Sequence, residues 1–308
     1  MRGWCGSEAS ASRRRGWHFA ALASAAIAML ATCPSNMRAE PLEPTQPKYG
    51  WVEVFGGGDA LRDVWLLYSG VTMAPLSKDI YSDGIRIRVV SGYGQYRYSG
   101  LRLKPLESRE SRDAQPVKFK AETEFADVMI GYHQRFGELT AKAFVGISAI
   151  NHDISPGDCF DHRVDDNKPY RYVKKCNPAS GFDAGIKGAL ELWLNLDDDS
   201  WTSLNLSYTT AHDTSAASWR YGVRVLPTVS IGSELRFNRS SGNVNFDPQS
   251  GDPKGFEYSA RTGGFIRYEW LGGEVSLAGG VAKQMIDLGE KPNTRYEPYV
   301  TLGVSLKY

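Results

Sequence analysis

Thr301-Leu302-Gly303-Val304-Ser305-Leu306-Lys307-Tyr308 closes the chain, and apolar and polar residues alternate through it up to a terminal aromatic. Successive side chains of a strand point to opposite faces. Val300, Leu302, Val304, Leu306 and Tyr308 therefore share one face, while Thr301, Gly303, Ser305 and Lys307 share the other. One face suits apolar surroundings and the other water. Such a strand fits either a membrane-spanning β-barrel or a soluble β-sandwich, and the upstream sequence has to separate the two.

The same pattern recurs along the chain. Strands are expected near 50–58, 62–73, 84–98, 121–135, 139–150, 181–195, 200–210, 217–226, 229–238, 256–270, 273–283 and 295–308, with Gly, Asp, Asn and Pro between them. In 181–195, Phe182, Ala184, Ile186, Gly188, Leu190, Leu192 and Leu194 alternate with Asp183, Gly185, Lys187, Ala189, Glu191, Trp193 and Asn195. Asp127, His133, Arg220, Arg224, Glu234, Arg236, Arg261, Arg267 and Glu269 occupy the polar faces of other strands. Those faces would line a wet lumen in a barrel and meet solvent in a sandwich, so alternation alone does not decide.

Connection lengths do. With both termini on the periplasmic side, the outward connections near 99–120, 151–180, 239–255 and 284–294 are long. The inward ones at Gly137-Glu138, Asp197-Asp198-Asp199, Pro227-Thr228 and Leu271-Gly272 are tight. This asymmetry is characteristic of bacterial outer-membrane barrels. Two connections break it: 59–61 is short outside, and 74–83 is of moderate length inside. An even strand count also closes an antiparallel barrel without edges that lipid could not satisfy. The expected fold is therefore all-β, an antiparallel transmembrane β-barrel of about 12 strands over residues 50–308, located in the bacterial outer membrane.

Arg13, Arg14 and Arg15 precede the uncharged run Phe19 to Ala31, too short to span a bilayer and right for a signal h-region. Residues 1–39 read as a cleaved signal peptide and 40–49 as a short periplasmic segment, although Met37 is larger than the residue preferred before such a site. Leu30-Ala31-Thr32-Cys33 is a poor lipobox because of Thr32. At the other end, Gly303, Leu306 and Tyr308 resemble the C-terminal signal that barrel-assembly machinery reads. Of four cysteines, Cys159 and Cys176 fall in the mature chain, where an exported protein would join them as a disulfide across a polar loop. His152, Asp153, Asp158 and His162 nearby raise a metal alternative, but these are also ordinary loop residues, and no metal is expected.

A net charge of +1 with scattered Arg and Lys leaves no footprint for nucleic acid. Gly56-Gly57-Gly58 lacks the Lys-Ser/Thr and helix start of a phosphate loop. Asp197-Asp198-Asp199 lacks the alternating ligands of a calcium loop. Asp127, His133 and Ser148 could be assembled on paper into nucleophilic machinery, but Asp127 and His133 lie six residues apart on one strand, about 20 Å, and Ser148 is expected to face away from both. No catalytic residue and no cofactor are expected.

Trp51-Val52-Glu53-Val54-Phe55-Gly56-Gly57-Gly58-Asp59 into Asp63-Val64-Trp65-Leu66-Leu67-Tyr68-Ser69-Gly70, then Asp83-Gly84-Ile85-Arg86-Ile87-Arg88 into Gly92-Tyr93-Gly94-Gln95-Tyr96-Arg97-Tyr98, resembles the cellulose biosynthesis protein BcsS family. The strands Gly181 to Trp193 and Ser218-Trp219-Arg220-Tyr221-Gly222 are similar in type and order. The resemblance covers about Trp51 to Tyr308 as diffuse strand patterns, and the Cys159–Cys176 loop is longer than the family would lead one to expect. It implies a non-enzymatic barrel supporting cellulose or exopolysaccharide biosynthesis or export, partnered by outer-membrane lipids, the assembly machinery, and cellulose or its secretion machinery. A general small-solute porin and a lipid-modifying outer-membrane enzyme are the rivals. Sugar rings stack on aromatic side chains, which makes Tyr96 and Trp193 candidate lumenal sugar contacts. The other aromatics, Trp65, Trp201, Trp219, Tyr268 and Trp270 among them, suit interfacial girdles.

Overall fold

Twelve antiparallel strands close on one another in the computed structural model, which describes residues 50–77, 79–103, 114–155, 159–163, 172–176, 181–241, 256–286 and 293–308. The expected signal segment 1–39 and the segment 40–49 lie outside these residues. In chain order the strands are β1 (Val52–Leu61), β2 (Val64–Met73), β3 (Gly84–Leu103), β4 (Ala114–Phe136), β5 (Leu139–Ser155), β6 (Cys159–Arg163) and β7 (Tyr172–Cys176). They continue with β8 (Gly181–Asn195), β9 (Ser200–Thr209), β10 (Thr214–Leu226), β11 (Val229–Ser241), β12 (Phe256–Trp270), β13 (Gly273–Ile286) and β14 (Asn293–Lys307). Every barrel strand pairs with its chain neighbour, except that β5 pairs with β8, and β14 returns to β1 to seal the wall.

The seam bears directly on the C-terminal pattern. Val54 lies opposite Leu306, Gly57 opposite Gly303 and Asp59 opposite Thr301. Val52 and Tyr308 exchange backbone hydrogen bonds of 3.0 and 2.8 Å. No edge is left at the closure, because the last strand ends where the first begins.

Burial separates the membrane barrel from the sandwich. Arg86 is 1% exposed, and Asp127, His133, Ser148, Glu234 and Thr301 are likewise buried, whereas Ile147 is 67% exposed and Ile130, Ile186, Leu235, Ile266 and Leu302 also face outward. A water-soluble protein with its charges inside and its isoleucines outside would be inverted. Lipid makes the same arrangement favourable, and an apolar outer band with a polar interior is the construction of outer-membrane barrels. The chain is therefore a bacterial outer-membrane β-barrel. Trp65, Tyr132, Trp219, Tyr268, Trp270 and Tyr308 are exposed on the outer wall, as the girdle reading requires.

The structure departs from the expected outline in two places. β3 and β4 have 20 and 23 residues and stay paired from Gly84↔His133 as far as Leu103↔Ala114, so most of 99–120 continues the wall instead of looping. A strand crosses a membrane in about 9–11 residues, so this hairpin extends well beyond the bilayer. Its charged sequence reads as a loop, but two ladder partners in register satisfy each other's backbone whatever their side chains. Inside 151–180, β6 and β7 form a separate two-stranded hairpin in which Cys159 lies opposite Cys176.

Candidate lumenal site

Side chains that alternation points inward meet across the lumen, far from their sequence neighbours. Arg88 on β3 donates through Nη1 to Glu191 Oε1 on β8, and through Nη2 to Oε2 at 3.2 Å. Since β4 and β5 separate those strands, the pair forms a chord through the interior. Thr72 Oγ1 accepts from Arg88 Nε at 3.0 Å, and the guanidinium lies 4.0 Å from the Phe144 ring centroid. The fork geometry of arginine and its stacking on an aromatic face orient this bridge more tightly than a lysine could.

A second chord starts at Asp59 on β1. Arg236 of β11 donates from Nη1 to both carboxylate oxygens at 3.1 Å, Arg261 of β12 brings its Nη1 within 3.2 Å, and the Thr301 hydroxyl donates to the same carboxylate. Glu234 accepts from Tyr299 Oη at 2.9 Å and from Arg220 Nε at 2.9 Å. Charges this deeply buried require partners. Here Thr301 and Arg220 come from the adjoining strand, and Arg236, Arg261 and Tyr299 from strands three or four places round the wall.

Towards the periplasm the filling becomes aromatic. Trp193 and Trp201 stack with centroids 4.1 Å apart, Phe265 lies 5.5 Å from Trp201, and Trp201 Nε1 donates to Ser230 Oγ at 3.3 Å. Gly222 permits this, since a Cβ there would sit 2.5 Å from the Trp201 ring. Arg267 lies 4.6 Å from the Trp193 centroid and pairs with Glu269 and Glu274. The structure thus places Trp193 on the lumenal face, but its ring is already stacked. Trp201 was expected in a girdle and is instead 1% exposed inside. Its odd position, shared with Ser203 and opposed to Leu204 and Leu206, was the available signal. Tyr96 is also lumenal, packed near the outer end against Phe119, Ala121 and Ile154.

The inward connection that broke the length rule covers part of the periplasmic mouth. In 74–83, Ala74 and Ile80 are buried, and their amides bond Trp51 O at 2.8 Å and Gly50 O at 3.0 Å. Arg86 holds the strap from inside through Ile80 O at 2.9 Å and through Ser82 O, while His133 Nδ1 lies 2.8 Å from Ser82 O. Asp83 accepts from the Arg135 amide at 2.8 Å, and Lys307 of β14 donates to Tyr81 Oη. The extra length lets the strap reach lumenal side chains on β3, β4 and β14.

Ser148 was expected to face away from Asp127 and does not. Its hydroxyl donates to Asp127 Oδ1 at 2.6 Å, and Lys187 Nζ lies 2.5 Å from Oδ2. The adjacent strands β4 and β5 pair Asp127 directly with Ser148, a register the single strands do not reveal. His133 is occupied at the strap, so Ser148, Asp127 and His133 are not brought together. Cys159 and Cys176 stand opposite at the foot of the β6–β7 hairpin, and Gly303, Leu306 and Tyr308 lie along the sealing strand. Of the metal alternative, His152 and Asp153 lie on β5 and His162 on β6, while Asp158 is outside the described residues.

No curated protein matches the chain in sequence. Among solved structures it is similar to the transport unit of the autotransporter AIDA-I from Escherichia coli, at 13% identity and a TM-score of 0.42, over 92% of this chain and 97% of that one. It is also similar to a KdgM porin, at 10% identity and 0.40, over 83% and 99%. The translocator domain of NalP from Neisseria meningitidis is similar at 9% identity and 0.38, over 97% of each chain. None of these likenesses carries a residue or a ligand over to this chain. The family model for cellulose biosynthesis protein BcsS matches residues 53–307, nearly the whole barrel. The chain belongs to the cellulose biosynthesis protein BcsS family.

Proposed function

We propose that this barrel, whose family has a role in cellulose biosynthesis, is a non-enzymatic accessory of cellulose export that rests closed instead of serving as a standing glucan conduit. The observation that carries this reading is the set of chords across the interior, Arg88–Glu191 and Arg236–Asp59. Eight strands leave room only for side chains and 16 to 18 leave an aqueous channel, so at twelve the side chains decide. Here they bridge wall to wall, and the strap narrows the periplasmic mouth. A porin would keep that space clear. A lipid-modifying enzyme would need a nucleophile beside a base, where Ser148 has an ion-paired carboxylate.

Planar-bilayer recording of the purified barrel, with and without cellohexaose, tests the proposal. Little steady conductance is expected. A standing conductance blocked by cellohexaose would establish a conduit, and an unblocked one a general porin. Deleting the gene should lower secreted cellulose without altering permeability to small solutes, and unchanged cellulose would count against the accessory role.

Three residue-level readings belong to the same proposal. Tyr96 and Trp193, both on the lumenal face, are the two candidate glucan contacts, Tyr96 near the outer end beside His152 and Trp193 stacked on Trp201. Cys159 and Cys176 form a disulfide, since directly opposed antiparallel residues lie about 4.5–5.5 Å apart at Cα, within disulfide range. Thiol labelling with and without reductant checks it. Gly303, Leu306 and Tyr308 serve the assembly machinery, and removing Leu306 to Tyr308 should reduce folded barrel in the outer membrane.

A further inference from the structure

The outer mouth is narrowed by the turn between β9 and β10, which bends inward. Its Thr210 amide bonds Ile186 O at 3.0 Å, and Thr210 Oγ1 accepts from the Ile186 amide at 2.9 Å. Ala211 is fully buried. The turn fits against β8 because Gly185 has no side chain, for a Cβ there would lie 2.2 Å from Thr210 Oγ1. At its tip His212 adopts φ +49°, a left-handed conformation unusual for a residue with a Cβ. The Asp183 carboxylate holds it there by accepting the His212 amide at 2.8 Å.

That conformation brings His212 to His152, which points inward from β5. Their ring centroids are 4.8 Å apart with planes at 70°, and Tyr96 lies 6.2 Å from His152. His152 Nδ1 and His212 Nε2 are both buried without a hydrogen-bond partner. A buried imidazole nitrogen normally finds one. Two such nitrogens on adjoining rings form a donor pair that water or a cation can satisfy. Two imidazoles on one tetrahedral ion, at about 2.0–2.1 Å per metal–nitrogen bond, place their centroids about 5 Å apart. Imidazole suits zinc, copper and nickel, whereas calcium and magnesium take oxygen.

We propose that His152 and His212 form a binding site for a borderline-soft divalent cation of the zinc type at the outer mouth of the barrel. No cluster of three His, Cys, Asp or Glu ligands occurs among the described residues. Among the described residues the ion has these two protein ligands, and its remaining positions there are open to water or to an incoming ligand. It joins the β9–β10 turn to β5, across β8. The site is independent of the family and of the accessory role.

The test uses the full barrel without a polyhistidine tag, folded in detergent, stripped with EDTA and titrated with zinc chloride by calorimetry. One equivalent of zinc is expected, with none for magnesium. His152→Phe, which keeps a ring packed against its partner, and His212→Asn, which tolerates positive φ, should each abolish it. Heat-modifiable migration in gels verifies that the variants fold. No zinc uptake by the native barrel would overturn the proposal, as would equal uptake by both folded variants. If a variant does not fold, zinc protection of His152 and His212 from diethyl pyrocarbonate in the native barrel, mapped by mass spectrometry, decides. Protection supports the site and undiminished modification overturns it.

Discussion

The two faces of this one wall are stabilised in different ways. The lipid face, for example Val300, Leu302 and Val304, requires only that its residues be apolar, and any neighbour of similar character serves. The lumenal face requires particular partners. Asp59 is useful because Arg236, Arg261 and Thr301 converge on it, and each of those is costly if Asp59 is absent. The outer face is thus specified residue by residue and the inner face by groups of residues, so substitutions inside should propagate and those outside should stay local.

The largest effect is expected where one acid serves several partners. Asp59→Ala leaves Arg236 and Arg261 buried without their carboxylate, which should cost about 3–5 kcal/mol, read as a lowered urea midpoint of the folded barrel in lipid vesicles. Restoring the midpoint by Arg236→Met in the Asp59→Ala background would sharpen the contrast, and no change from Asp59→Ala would break it. On the outer face, Leu302→Arg sets a charge in the apolar band and should cost about 2–4 kcal/mol in the same assay. Leu302→Val should cost little. Ser148→Ala removes one of the two donors to Asp127 and leaves Lys187, so a smaller loss of about 1–3 kcal/mol is expected.

The smallest effect lies outside the membrane, in the turn at Asp197. The Ser200 hydroxyl, at 2.7 Å, and the amides of Asp199 and Ser200 hold this exposed carboxylate below its usual range. A carboxylate depressed on folding adds stability that is present above its unfolded pKa and is lost as pH falls through its folded one. Asp197→Asn should therefore lower the thermal midpoint slightly at neutral pH, and the gap from native should close in acid. A gap that persists in acid would mean that the turn's hydrogen bonds do not depend on the carboxylate charge.

Strands and faces were readable because alternation is local: the side chains that fall on each side of a strand follow from the backbone alone. All twelve expected segments are barrel strands, and the charged residues assigned to their polar faces lie inside. The strap shows where this reading ends. Residues 74–83 were recognisable as too long for a periplasmic turn, but their anchoring to His133 and Lys307 depends on strands that adjoin only once the barrel closes. Trp201 was misplaced for a related reason, since aromaticity alone does not distinguish a girdle from a stacked lumenal pair.

The sequence by itself determined an outer-membrane barrel, its strand number and its apolar seam at Tyr308, because these depend on the two-residue period and on connection lengths. Only the tertiary structure decided which inward residues meet. Arg236 is 177 residues from Asp59 and Glu191 is 103 from Arg88. Such pairs are selected by the curvature and register of a closed wall, and no stretch of a single strand contains that information.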